Sequence, residues 1–65
     1  MPLPTRRLRI EIEREDDGRY LAEVVDLPGA MAYGVTADEA RSRALALALR
    51  VLAEQVEAGE PATLA

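Results

Sequence analysis

The chain contains no cysteine and no histidine. Disulfide bonds, and zinc sites built on thiolate or imidazole ligands, are therefore excluded as sources of stability. Tryptophan, phenylalanine and lysine are also absent, and tyrosine occurs only twice, so few rings are present for stacking on nucleic-acid bases. No apolar run approaches the roughly 20 residues of a membrane-spanning helix, and we expect a cytoplasmic protein without a membrane partner.

The small size of the chain predicts a single domain, residues 1–65. A chain of this length removes only about 60% of its unfolded surface from water, so we expect association with other copies to add stability. The formal net charge is -4 at pH 7. An acidic protein is poorly suited to a main task of neutralising nucleic-acid phosphates.

Two alternating segments predict a β-hairpin. Residues 7–14 alternate strictly between charged and apolar side chains, which is typical of a half-buried strand. The dipeptide Asp17-Gly18 favours a tight turn, and residues 19–25 predict the returning strand. The outer face of this second strand carries Leu21, Glu23 and Val25. Two interpretations stay open: these side chains lie under a loop, or they form a surface for association.

The second half of the chain predicts a loop, a short strand and one long helix. Asp26-Leu27-Pro28-Gly29 is typical of a turn, and residues 30–34 predict the third strand. Thr36-Ala37-Asp38-Glu39 has the capping-box pattern. The Thr36 hydroxyl is expected to accept from the Glu39 N–H, and the Glu39 carboxylate to reach back to Thr36. The predicted helix spans residues 37–58, with Gly59 as its C-cap and Pro61 beyond it.

The predicted fold class is α+β, with a three-stranded antiparallel sheet packed on one long helix in the order β-β-β-α. A short strand at residues 62–65 is a further option. The helix has an alanine-rich stripe that suits close contact with the sheet: Ala40, Ala44, Leu47 and Val51. An adjoining stripe is expected to contact the C-terminal tail or another subunit. This candidate oligomer interface comprises Leu45, Leu49, Leu52 and Val56.

Catalysis is not expected from this set of residues. Without histidine and cysteine, an enzyme would depend on carboxylates, tyrosines or hydroxyl groups. The candidate acidic residues lie in the hairpin turn, beside arginines on the first strand, at Asp26, or at the helix start, where capping explains Asp38 and Glu39. We therefore predict no catalytic residue, no metal and no cofactor. Two lesser alternatives are a metal-dependent nuclease and an RNA-binding module that uses the arginines.

The order of these signals resembles the HicB-like antitoxin domain over residues 8–61. The most specific residues are Asp26-Leu27-Pro28-Gly29 and Gly34-x-Thr36-x-x-Glu39-Ala40 at their mutual spacing. The resemblance implies a reduced RNase H-like fold, similar in appearance to a double-stranded-RNA-binding domain, without catalytic residues. It also implies the antitoxin of a type II toxin–antitoxin pair, which masks a small RNA-cleaving toxin by steric occlusion. A DNA-binding unit usually follows in this family, but none is recognised here, so direct DNA binding is not expected.

The partner implied by the resemblance is a small basic HicA-like toxin. An acidic protein would be attracted to its basic RNA-binding face. The candidate partner surface comprises Leu21, Glu23, Val25, Asp26, Leu27, Pro28, Gly29, Glu54 and Glu57. The alternative is an orphan, homo-oligomeric HicB-like domain with a partner that is not a toxin.

Overall fold

The computed structural model describes residues 8–59, which form three strands followed by one helix. Strand β1 spans Ile10–Arg14, β2 spans Tyr20–Val24 and β3 spans Met31–Gly34. They form an antiparallel sheet in the order β1-β2-β3, and helix α1, Ala37–Glu57, packs on one face. The predicted α+β fold is confirmed. The optional strand at residues 62–65 and the predicted position of Pro61 lie outside the described residues.

The first hairpin has the turn chemistry that the sequence predicted. The Glu15 N–H donates to the Arg19 carbonyl at 2.7 Å, and the Gly18 N–H donates to the Glu15 carbonyl at 3.0 Å. Gly18 has φ +89°, a left-handed conformation that costs glycine little because it has no Cβ. Asp17 closes the turn by accepting from the Arg19 backbone N–H at 3.0 Å and from its Nε at 2.7 Å.

The hairpin fixes which residues lie opposite one another in the sheet. Ile12 of β1 lies opposite Ala22 of β2, and Ala22 lies opposite Ala32 of β3. Because directly opposite residues point to the same face of an antiparallel sheet, these three side chains lie on the face that α1 covers. The alternation predicted for β1 and β2 is therefore reproduced.

Helix α1 begins with the predicted capping box, with one difference. The Thr36 hydroxyl accepts from the Glu39 N–H at 3.1 Å, as expected. The prediction that Glu39 reaches back to Thr36 is wrong, because its Oε1 accepts from the Val35 N–H at 3.0 Å. Thr36 is extended, with φ -121° and ψ 161°, and the amide within reach is the preceding one. The helix ends at Glu57, and Gly59 follows the C-cap Ala58 with φ +75°.

The core between the sheet and the helix consists mainly of alanine. Five alanines, one valine and two leucines are buried in it. An alanine contributes a single methyl group, of the order of 0.8 kcal/mol, whereas a buried valine or leucine contributes about 1.5–3 kcal/mol. The core is therefore small, and little free energy is needed to open it. Its members are Ala22, Val24, Leu27, Ala30, Ala40, Ala44, Ala48 and Leu52.

Two residues predicted for binding surfaces lie in this core instead. Leu52, predicted for the oligomer stripe, is only 5% exposed, because the helix turns Ala44, Ala48 and Leu52 toward the sheet. Leu27, in the loop after β2, is also 5% exposed and belongs to the same core. Neither Leu27 nor Leu52 is available to a partner in this conformation. Leu47, which was predicted to face the sheet, is only half-buried.

Gly34 allows the start of α1 to pack directly on β3. A Cβ at this position would lie 2.9 Å from the Ala40 Cα and 3.0 Å from the Glu39 carbonyl carbon, and nearer still to the Ala40 nitrogen. Backbone atoms cannot move aside as a flexible side chain can. Position 34 therefore requires glycine because no room remains for a Cβ atom.

We predict that Gly34→Ala lowers the free energy of unfolding by about 1–3 kcal/mol, because the added methyl group overpacks a backbone contact. Urea unfolding followed by circular dichroism measures the change. The control is Val35→Ile, which adds one methylene at the exposed neighbouring position and should change stability by less than about 0.5 kcal/mol. Equal effects of the two variants would contradict the close approach.

A second prediction concerns the hairpin at low pH. The pKa of Asp17 is lowered from 3.8, first by the hydrogen bond from the Arg19 backbone N–H and then by the one from its side chain. A lowered folded-state pKa gives stability that is present above the ordinary pKa and is lost as pH falls through the folded value. Asp17→Asn should therefore be less stable than the parent at neutral pH, and the difference should vanish at strongly acidic pH. Thermal melts across pH test this, with Asp16→Asn at the neighbouring exposed turn position as the control.

Candidate protein-binding surface

The face of the sheet opposite α1 is covered by no element among residues 8–59. Strand alternation assigns to it the residues that do not face the helix. We call this the outer face. Its members on the strands and their immediate flanks are Arg9, Glu11, Glu13, Arg19, Leu21, Glu23, Val25, Met31 and Tyr33.

The outer face is acidic on one side and apolar on the other. One row across the sheet runs Glu11, Glu23, Met31, and the next runs Glu13, Leu21, Tyr33. Met31 and Tyr33 are 42% and 43% exposed. A large apolar side chain beside a carboxylate at each row gives a surface that combines apolar contact with charge recognition.

The carboxylates of this face have no basic partner among the described residues. The three ion pairs between described residues use other acids: Asp26 with Arg9, Asp17 with Arg19 and Glu39 with Arg43. Glu11 and Glu23 lie directly opposite each other. Like charges in that position repel and destabilise a sheet. The free domain thus carries an unfavourable contact that a cation from a partner would relieve.

Arginines border the acidic rows at both ends. Arg9 pairs with Asp26 at 3.4 Å, and the Asp26 carboxylate also accepts from the Arg9 backbone N–H at 2.8 Å. At the other end, the Arg19 guanidinium lies 4.3 Å from the centre of the Tyr33 ring, a cation–π contact. Arg9 and Arg19 each contact another residue of the domain, although their side chains stay 71% and 54% exposed. The carboxylates between them have no such ion pair with a described residue.

A shallow concavity of about 450 Å³ lies beside β1 and β2, lined by Glu11, Ile12, Glu13, Leu21 and Glu23. Three of its five lining residues are glutamates. Its shape and charge suit an arginine or lysine side chain inserted from a partner, with Leu21 contacting the aliphatic part.

The predicted partner residues do not form one surface. Leu21, Glu23 and Val25 are half-buried and share the outer face, while Pro28 and Gly29 are exposed in the loop at its end. The Asp26 carboxylate is engaged with Arg9. Glu54 and Glu57 are exposed on α1, which forms the other layer. A partner on the outer face therefore meets Glu23 without meeting the helix acids.

Six residues of the outer face were not among the predicted partner residues: Arg9, Glu11, Glu13, Arg19, Met31 and Tyr33. The sequence contained a usable signal for Glu11 and Glu13. A three-residue turn at Asp16–Gly18 places Glu15 opposite Arg19, and counting back along both strands places Glu11 opposite Glu23. No comparable signal fixed the register of β3, because the loop after β2 has no standard hairpin length.

The remaining residues of the predicted oligomer stripe lie on one flank of α1. Leu49 and Val56 are 54% and 64% exposed, and Leu45 is half-buried. The opposite flank carries Arg43, whose Nη1 donates to the Tyr33 carbonyl of β3 at 3.2 Å. The apolar flank therefore faces away from β3 and toward the β1 side.

Within residues 8–59, no group of three or more acidic, histidine or cysteine side chains comes close enough to hold a metal ion. No helix in the same range is both long and apolar enough to cross a bilayer. Comparison with known proteins found no matching family model, no curated relative and no similar solved structure.

The Glu11–Glu23 opposition generates a stability prediction. Glu23→Gln should raise the free energy of unfolding by about 0.2–1 kcal/mol, because it removes one of two like charges that face each other. The control is Glu13→Gln, which makes the same charge change on the same face opposite Leu21. Chemical unfolding at low salt compares them. An equal gain from both variants would show that net charge, and not the opposed pair, is responsible.

Proposed function

We propose that this chain is a non-catalytic protein-binding domain that uses the outer face of its sheet to bind a basic protein. The observation that carries the proposal is the uncovered row of Glu11, Glu23 and Met31, with Leu21 and Tyr33 beside it. Apolar side chains supply the buried centre of an interface, and unpaired carboxylates select a partner of opposite charge.

The partner we propose is a small basic RNA-cleaving toxin, and the chain is its antitoxin. The resemblance of Asp26-Leu27-Pro28-Gly29 and Gly34-x-Thr36-x-x-Glu39-Ala40 to HicB-like antitoxins supports this identity. The chemistry is compatible, since an RNA-binding face must carry arginine or lysine to neutralise phosphates. A sheet face that presents carboxylates to those groups blocks access of RNA by occupying the same cations. We place this activity in the cytoplasm, where such a toxin would meet its RNA.

The acidic outer face also weighs against the RNA-binding alternative. Phosphates would be repelled by Glu11, Glu13 and Glu23, and among the helix arginines Arg43 is engaged with Glu39 and the Tyr33 carbonyl. A nuclease would require divalent-ion-dependent cleavage of RNA, and we expect none from the purified chain. The orphan alternative keeps the same binding face with another basic partner.

The test is binding to the product of the neighbouring reading frame, which we expect to be a small basic protein, measured by calorimetry at physiological salt. Glu23→Arg should weaken binding at least ten-fold, about 1.4 kcal/mol, because it places a cation against the basic partner. Restored RNA cleavage by the partner, in the presence of the variant, is the second readout.

The matched control is Glu54→Arg, an identical charge change on the exposed helix layer. At physiological salt, charges more than about 8 Å apart are largely screened, so binding should change by less than about two-fold. Equal loss from both variants would show that overall charge directs binding. Absence of binding by the unaltered chain would remove the antitoxin proposal.

A further inference from the structure

Among residues 8–59, no strand pairs with the outer edge of β1, and this open edge carries a set of backbone groups that β2 does not use. The Val25 N–H donates to the Arg9 carbonyl at 2.9 Å, and the Glu15 N–H donates to the Arg19 carbonyl at 2.7 Å. In an antiparallel ladder, hydrogen-bonded and non-hydrogen-bonded positions alternate. Residues Ile10, Ile12 and Arg14 therefore point their N–H and C=O groups away from β2, toward the open edge.

The same strand is incompletely covered by the helix. Ile12 lies on the helix side of the sheet, opposite the fully buried Ala22, yet it is 41% exposed. Helix α1 lies mainly over β2 and β3, and Leu49 on its apolar flank stays exposed. Proteins usually protect an apolar side chain beside a free strand edge from pairing with a strand of another chain.

We infer that β1 pairs with β1 of a second copy of this chain, joining two sheets into one of six strands. A two-fold axis perpendicular to the sheet makes the two β1 strands antiparallel and keeps both helices on the same side. The backbone groups of Ile10 and Ile12 are identical in kind to those they would meet. This dimer is independent of the proposed function, because it uses the edge of the sheet and not the outer face.

Charge selects one register among those that the backbone allows. With the axis at Ile10, Leu8 faces Ile12 of the second copy and Arg9 faces its Glu11, each pair occurring twice, and no like charges face each other among residues 8–12. With the axis at Glu11, Arg9 would face Glu13 twice, but the two copies of Glu11 would face each other. With the axis at Ile12, Arg9 would face Glu15 twice, and each Glu11 would face a Glu13. The register centred on Ile10 is therefore favoured.

The helices take a secondary part in this dimer. Strands lie about 4.8 Å apart, so a helix centred over β2 and β3 lies roughly 10 Å from the axis, and the two helices roughly 19 Å from each other. Packed helices lie about 8–10 Å apart. The flanks with Leu45 and Leu49 thus face each other across a floor formed by Ile10 and Ile12, without close packing.

The experiment is sedimentation equilibrium of the full chain and its variants, with circular dichroism to verify folding. The unaltered chain should sediment at twice the chain mass. Ile12→Lys should weaken the dimer at least ten-fold, because it places a charge beside the pairing edge while changing a side chain that is already partly exposed. A monomeric unaltered chain at the highest concentration used would overturn the inference.

Two adjacent glutamates provide a matched pair that identifies the register. Glu11→Gln removes the attraction to Arg9 of the second copy and should weaken the dimer by up to about five-fold. Glu13→Gln makes the same change beyond the paired residues 8–12 and should weaken the dimer less. Both variants make the same change in net charge, so a general charge effect would tighten both. That outcome would contradict the register, and neither variant alters the core.

Controls on the other surfaces distinguish the competing interfaces. Met31→Lys, on the opposite edge strand, should leave the dimer unchanged. Leu49→Glu should weaken it less than Ile12→Lys does, because the helix flanks do not pack closely. If Leu49→Glu or Met31→Lys dissociates the dimer and Ile12→Lys does not, the interface lies on the helix stripe or on β3, and pairing through β1 is wrong.

Discussion

Helix α1 approaches β2 and β3 closely because the side chains between them are mostly methyl groups. Ala40, Ala44 and Ala48 meet the alanines of the sheet, and Gly34 contributes no side chain at all where the helix begins. Close approach excludes water effectively, but it buries little apolar area per residue. A domain built in this way has a small stabilising core, and its larger apolar side chains remain near the surface.

The position of the helix over β2 and β3 also determines which surfaces stay open. On the helix side, Ile12 of β1 stays partly exposed, and on the other side no element of residues 8–59 forms a second layer. A small domain that buries its apolar surface completely would cover the β1 edge or the second sheet face with another element. Their chemistry differs: the edge of β1 offers backbone pairing to another strand, whereas the outer face offers carboxylates beside Leu21, Met31 and Tyr33. Different partners suit them.

Local signals in the sequence predicted the fold well because each has a local physical cause. The Asp17-Gly18 turn and the Thr36 cap depend on hydrogen bonds within a few residues. The orientation of α1 was harder to predict, because periodicity shows which residues share a stripe but not which stripe contacts the sheet. Ala48 and Leu52 are buried against the sheet, whereas Leu47 is only half-buried. The outer face depended on the pairing of β3, which no local signal specified.

The two inferred surfaces meet at Glu11. A dimer joined through β1 points both outer faces in the same direction and places Arg9 of each copy opposite Glu11 of the other. That cation would relieve part of the repulsion between Glu11 and Glu23, which lie opposite each other within one chain. A basic partner bound on the outer face would then depend mainly on Glu13 and Glu23, because pairing of β1 leaves their charges unused. The same acidic sheet face can thus take part in self-association along its edge and in recognition of a partner across its surface.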